Sequence, residues 1–257
     1  MKAIEVTLLR GLGRERRHWG DFARLLESEL HNAIFSYIDL PGTGELHQSP
    51  SPWSIQALAA TLPSPEVKSG TLRVLVAISL GAMVGFEHLL RSEGRAFDAV
   101  VLINTSFGGW NPMWQRARPT AWWQLLRVAC SCTVEQREQR ILQLVSARVE
   151  RIEQHLPGFV QIQQSAPVSL WTLLAQMLAA ARYRPLLPVG VDFPPILILN
   201  SRGDQLVSSC ASQTIAARLG ATLHTHPHAG HDLPLDEPHW TCAQVVDFVR
   251  CIRDEPA

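Results

Sequence analysis

The feature that most constrains this chain is an alternation. Short apolar, β-branched runs at residues 5–9, 33–39, 72–78, 99–104, 196–200 and 222–226 alternate with segments of helical period at 18–30, 54–62, 80–91, 212–219 and 238–252. Strands that are apolar on both faces must be covered on both, and parallel neighbours need crossover connections. The pattern therefore predicts an α/β fold, a mostly parallel twisted sheet with helices on both faces.

The alternation breaks once. From about residue 107 to 192 no strand is expected, and apolar residues recur at three and four: Ile141, Leu144, Val145, Val149, Ile152 and Leu156, then Leu170, Leu173, Leu174, Met177 and Leu178. Thr133 and Gln136 have the spacing of a capping box. Residues 107–193 are accordingly expected to form a helical lid inserted into a core of residues 1–106 and 194–257. Five of the eight tryptophans fall there, Trp110, Trp114, Trp122, Trp123 and Trp171. Such residues either line an apolar pocket or pack the insertion onto the sheet, and Trp110, Trp114, Trp122 and Trp171 are candidates for substrate binding.

Composition excludes several functions. The charge balances at 23 basic and 23 acidic residues, without the basic footprint of a nucleic-acid binder, so a small-molecule partner is expected. No apolar run is long enough to span a membrane. Residues 1–5 lead directly into strand-like sequence without a signal-peptide pattern, and the five scattered cysteines form neither a disulfide framework nor a zinc spacing. A cytoplasmic protein with reduced thiols, as a monomer or a homodimer, is expected.

Against that background the stretch "AISLGAMVG" at 77–85 stands out. A serine hydroxyl is a weak nucleophile unless it is exposed, oriented and deprotonated by a neighbour, and a sharp strand-to-helix turn is a way to lift it clear of a sheet. Ala77 and Gly81 take the small-residue positions that permit such a turn around Ser79. A serine before a helix is also a common N-cap, so the motif needs company. It has company: "ILILNSRGDQLV" sets Asp204 just past a buried strand, and "HPHAGHDLP" sets His231 before the last helix. The chain order Ser, Asp, His is that of one serine hydrolase architecture.

Other residues compete for these roles. His224, His226 and His228 lie close to His231, and His224 and His226 share one strand face, as a metal pair would. Asp232 and Asp236 are alternative carboxylates. Asp39, in "DLPGTG", is expected to fix a turn. No Cys or carboxylate stands at ligand spacing from the histidine pair, so no metal is expected, and "RGLGRE" lacks the third glycine of a dinucleotide fingerprint, so no cofactor is expected.

The chain resembles the α/β-hydrolase superfamily, in its lidded branch of small esterases, lactonases, C–C bond hydrolases and thioesterases. The motifs that carry the likeness are, in order, "LLRGLGRERRHW", "IDLPGTG", "AISLGAM", "LINTS", "SRGDQLV" and "AGHDLPLDEP", which together cover nearly the whole chain. The resemblance implies that Ser79 is the nucleophile, His231 the general base and Asp204 the group orienting it. The backbone N–H groups of Leu12 and Leu80 would form the oxyanion hole, where a donor is typically worth about 3 kcal/mol of barrier. The chain departs from the superfamily at Arg10-Gly11, where His-Gly is usual. The implied function is a serine hydrolase of an ester, thioester or related acyl compound. A non-catalytic receptor or scaffold on the same fold, or an acyltransferase or C–C hydrolase using the same triad, is the alternative.

Arg10, Arg14, Arg16 and Arg17 form the most individual cluster of the sequence. They read either as a clamp for an anionic part of the substrate, Arg10 included, or as a solvated surface loop; the second is the ordinary fate of a charge run.

Overall fold

The computed structural model describes residues 3–63 and 70–254. Six strands, β1 (Ala3–Leu9), β2 (Ala33–Ile38), β3 (Thr71–Ile78), β4 (Ala99–Ile103), β5 (Ile196–Ser201) and β6 (Thr222–His226), form one sheet in the order β2-β1-β3-β4-β5-β6. Every pairing is parallel. Around it lie α1 (Gly20–Glu29), α2 (Ile55–Ala59), α3 (Leu80–Arg91), then α4 (Met113–Arg116), α5 (Pro119–Ala129), α6 (Val134–Val145), α7 (Val149–Ser165) and α8 (Leu170–Arg182). The chain ends with α9 (Ser209–Leu219), α10 (Leu233–Asp236) and α11 (Pro238–Asp254).

The two faces follow from the period of a strand. Leu75 and Ala77 of β3, with Val100 and Leu102 of β4, face one apolar layer shared with α2 and α3. Val74, Val76 and Ile78, with Val101 and Ile103, face the other, covered by α1 and α11. Both central strands are buried on both sides, as their unbroken apolar sequences require.

The strand order reverses between β1 and β3, where Leu9 pairs with Ala77. Crevices at the carboxyl ends of strands form at such a switch point, because the connecting segments diverge there. The loop after β1 and the β3–α3 turn therefore emerge side by side.

Five helices, α4–α8, occupy the interval between β4 and β5, with no strand among the described residues there. The helix expected at 18–30 is instead a 3₁₀ turn, Arg16–Trp19, followed by α1, since Gly20 turns at φ 51° between them. The helix expected from 212 begins at Ser209, where the Ser208 hydroxyl caps Cys210 N–H. Thr133 does cap α6 by accepting from Gln136 N–H at 3.1 Å, but the Gln136 amide reaches Cys132 N–H, one residue before the expected box partner. No helix of the described residues is long and apolar enough to cross a membrane.

Candidate active site

Ser79 follows β3 directly at φ 55°, ψ −119°, a conformation an L-residue adopts only under constraint. The constraint is visible. Ser79 N–H donates to Ile103 O on β4 at 2.8 Å, and its carbonyl accepts from Met83 N–H at 3.2 Å and Thr105 Oγ1 at 3.0 Å. Its own hydroxyl makes no capping bond, so it is not an N-cap serine. The glycine at 81 is required by close approach, since a Cβ there would stand 2.3 Å from Arg10 O and 2.6 Å from Leu9 O. α3 thus packs against the backbone that leaves β1.

The Ser79 hydroxyl points to His231, whose Nε2 lies 2.9 Å from Oγ. On the other side of the ring, Nδ1 lies 2.7 Å from Asp204 Oδ2. Asp204 is anchored in turn, because its Oδ1 accepts from Leu206 N–H at 2.7 Å and Val207 N–H at 2.8 Å. His231 and Asp204 are shielded from water, 5% and 1% exposed, while Ser79 is partly open to the cavity. An Nδ1–H donated to the carboxylate leaves Nε2 as the acceptor for the serine proton. Burial by itself would lower the His231 pKa. The charge of Asp204, its hydrogen bond and the charge of Asp232 outweigh burial and an opposing Arg10, and leave the pKa raised.

One residue that holds this arrangement was not singled out from sequence. Asn104, at φ 44° after β4, donates from Nδ2 to His231 O at 2.8 Å and to Ser201 Oγ at 3.1 Å, and accepts from Ser201 N–H at 3.0 Å. It ties the histidine loop to β5. The available signal was an Asn at a strand end, a residue type that tolerates left-handed backbone.

The loop after β1 lies against the serine: a Cβ on Gly11 would meet Ser79 Cβ at 3.1 Å. Leu12 and Leu80 both reach the space in front of Ser79. Asp39 supports this loop from the neighbouring turn, accepting from Arg16 N–H at 2.8 Å and Glu45 N–H at 3.0 Å.

The arginine cluster divides, against the expectation of one solvated run. Arg10 is 3% exposed, forms a two-pronged ion pair with Asp232 and stacks 4.8 Å above the Trp19 ring. Arg14 is also buried, donating to Glu138 Oε2 at 2.6 Å and facing His18 Nε2 at 3.2 Å. Burial, then the charges of Arg14 and Arg10, hold the His18 pKa well below its ordinary value, so this imidazole is neutral. Arg16 pairs with Glu45, and Arg17 with Glu15 at 2.8 Å; both arginine side chains are exposed. Buried carboxylate partners, distant in sequence, explain why Arg10 and Arg14 are inside.

In front of Ser79 is a cavity of about 670 Å³. Its wall joins residues of the sheet layer such as Leu12 and Met83 to Leu144 of α6 and Leu173 and Met177 of α8. Of the expected pocket residues, Arg10 and Trp122 lie on this wall. The other tryptophans do not. Trp110 packs edge-on against Phe107 and Phe86, joining the core, while Trp114 and Trp171 are 67% and 72% exposed on helix faces turned outward.

The competing residues are occupied elsewhere. Asp236 accepts from Ser146 Oγ, Ala147 N–H and Gly230 N–H; His224 bonds Gln244, and His226 Nδ1 accepts from Ala229 N–H at 2.9 Å. Among the described residues no three His, Cys, Asp or Glu side chains stand together as metal ligands would.

A family model described as "Alpha/beta hydrolase family" matches residues 8–244. Curated proteins offer no match to the chain. Solved structures share the fold. A thermophilic esterase from Thermogutta terrifontis is 21% identical with a TM-score of 0.68, over 98% of this chain and 91% of that one. An enol-lactonase from Burkholderia xenovorans LB400 is 16% identical with a TM-score of 0.71, over 97% and 92%. An esterase from Rhodococcus sp. ECU1013 is 16% identical with a TM-score of 0.70, over 97% and 91%. The family match runs from the end of β1 into α11 and takes in the serine, aspartate and histidine described above: the chain belongs to the alpha/beta hydrolase family.

Proposed function

We propose that the protein is a serine hydrolase that cleaves an ester, thioester or related acyl compound through an acyl-enzyme on Ser79. The observation that carries the reading is the unbroken relay of 2.9 Å and 2.7 Å contacts from Ser79 through His231 to Asp204. His231 Nε2 takes the hydroxyl proton as Oγ adds to the acyl carbonyl, and Asp204 stabilises the imidazolium that forms. The oxyanion is met by the N–H groups of Leu12 and Leu80 at the start of α3, where helix dipole and unpaired donors favour negative charge. His231 then returns the proton to the leaving group. Water repeats the sequence on the acyl-enzyme, releasing the acid and restoring Ser79.

The apolar wall fits an apolar acyl group. In this reading residues 107–193 act as the lid over a catalytic core of residues 1–106 and 194–257, and Trp122 contacts the acyl chain. The substrate is a small molecule. An anionic clamp at Arg10 is not favoured, because Asp232 already occupies its guanidinium.

The test is hydrolysis of 4-nitrophenyl esters from acetate to dodecanoate, with intact mass spectrometry of the quenched enzyme. Turnover with an acyl adduct on Ser79 is expected, and Ser79→Ala should lower kcat/KM by about 10⁴-fold or more. A folded wild-type protein without turnover or adduct, or a Ser79→Ala variant that keeps its activity, contradicts the reading.

A further inference from the structure

Arg10 and Asp232 are 222 residues apart in sequence and share one buried contact beside Ser79 and His231. Arg10 Nη1 donates to Asp232 Oδ1 at 3.1 Å and Nη2 to Oδ2, and the two side chains are 3% and 5% exposed. Each end is fixed again through its backbone. Arg10 O lies against Gly81 at the start of α3, and Asp232 N–H donates to Val145 O at 2.8 Å at the end of α6. The pair therefore connects the loop that carries Leu12 to the loop that carries His231.

Stability alone is a poor reason to keep such a pair, since desolvating two charges offsets most of their attraction and apolar replacements often do as well. Its position gives a better reason. We propose that Arg10 and Asp232 are positioning residues for His231: the ion pair locks the histidine loop to the oxyanion loop and holds two opposed charges against the imidazole. The inference rests on the catalytic reading of His231 given above.

The groups facing the imidazole come from four places: Ser79 from the β3–α3 turn, Asp204 from the end of β5, Arg10 from the loop after β1, and Asp232 from its own loop. Asp236 couples to Asp232, and Arg14 and His18 stand next to Arg10. Asp232 favours the protonated ring and Arg10 disfavours it, with Asp232 the stronger. Removing either charge thus moves His231 in opposite directions. A purely structural contact predicts no such opposition.

The experiment titrates His231 by histidine NMR, assigned with His231→Gln, and in parallel measures Ser79 labelling by a fluorophosphonate probe. The variants are R10Q, D232N and the exchanged pair R10D/D232R. The titration midpoint should rise in R10Q and fall in D232N. It should also fall in R10D/D232R, which keeps an ion pair and carries the test if the single variants do not fold. The rate of Ser79 labelling should drop by about ten- to a hundredfold in the single variants, as it does when reacting groups are misplaced. Equal midpoints in wild type and the exchanged pair overturn the inference. Wild-type protein unlabelled at Ser79 overturns the catalytic reading instead, and the NMR titration still reports separately on the pair.

Discussion

The six-stranded core and the five-helix segment between β4 and β5 meet at one cavity, yet they are built by different rules. In the core, β4 is buried along its whole length, and the turn at Ser79 admits no Cβ at position 81. In the five-helix segment, α5 leaves Trp122, Trp123 and Leu126 at 52%, 66% and 52% exposure, and α8 leaves Leu170 and Trp171 at 63% and 72%. The core is held by close backbone contacts that leave no room for an added methyl at position 81. The helices offer apolar surface whose detail is open to change. On the proposed function, reaction chemistry falls to the first and choice of acyl group to the second, and substitutions in each region should separate the two.

The largest effect belongs to the relay. Asp204→Asn should lower kcat/KM for 4-nitrophenyl esters by about 10⁴-fold, because the imidazole loses both its orienting acceptor and its counter-charge. In wild type the same relay fixes a pH profile. His231 must be neutral to accept the serine proton, and its pKa is raised above the ordinary 6.5, so kcat/KM should climb with pH through a midpoint above 6.5. A midpoint below 6.5 would show that Asp204 and Asp232 do not outweigh burial.

Next comes the close approach in the core. Gly81→Ala places a methyl into the carbonyls of Leu9 and Arg10, and should reduce activity by about a hundredfold while lowering Tm by several degrees. In the inserted segment the effect should be selective. Met177→Trp narrows the cavity, and should cut dodecanoate turnover about tenfold relative to acetate with little change in Tm. Uniform loss across chain lengths would contradict the division of roles. The smallest effect is at Gly158 inside α7, where a Cβ meets nothing within 4 Å; Gly158→Ala should leave activity unchanged and add about 0.5–1 kcal/mol of stability.

The same contrast explains what was legible in the sequence. Ser79 and Asp204 follow the apolar strands β3 and β5 within three residues, His231 follows the more polar β6 within five, and a parallel sheet brings all strand ends with that sense to one edge. Local pattern was therefore enough to gather them. The arginines were misjudged because their partners are remote: Asp232 lies 222 positions from Arg10, and Glu138 lies 124 from Arg14. Charge runs look solvated until the fold supplies buried carboxylates. The tryptophans failed for another reason. An aromatic side chain is apolar whichever surface it meets, so Trp122 on α5 reached the cavity wall while Trp110, in the turn before α4, joined Phe86 and Phe107.

The measurement that tests the central claim most directly needs no knowledge of the substrate. Purified protein is treated with a fluorophosphonate, digested and mapped by mass, alongside Ser79→Ala and His231→Ala. A single adduct on the peptide holding Ser79, absent from both variants, is the predicted result. A folded wild-type protein that stays unlabelled, or labelling at Ser79 that survives His231→Ala at the wild-type rate, would contradict an activated Ser79.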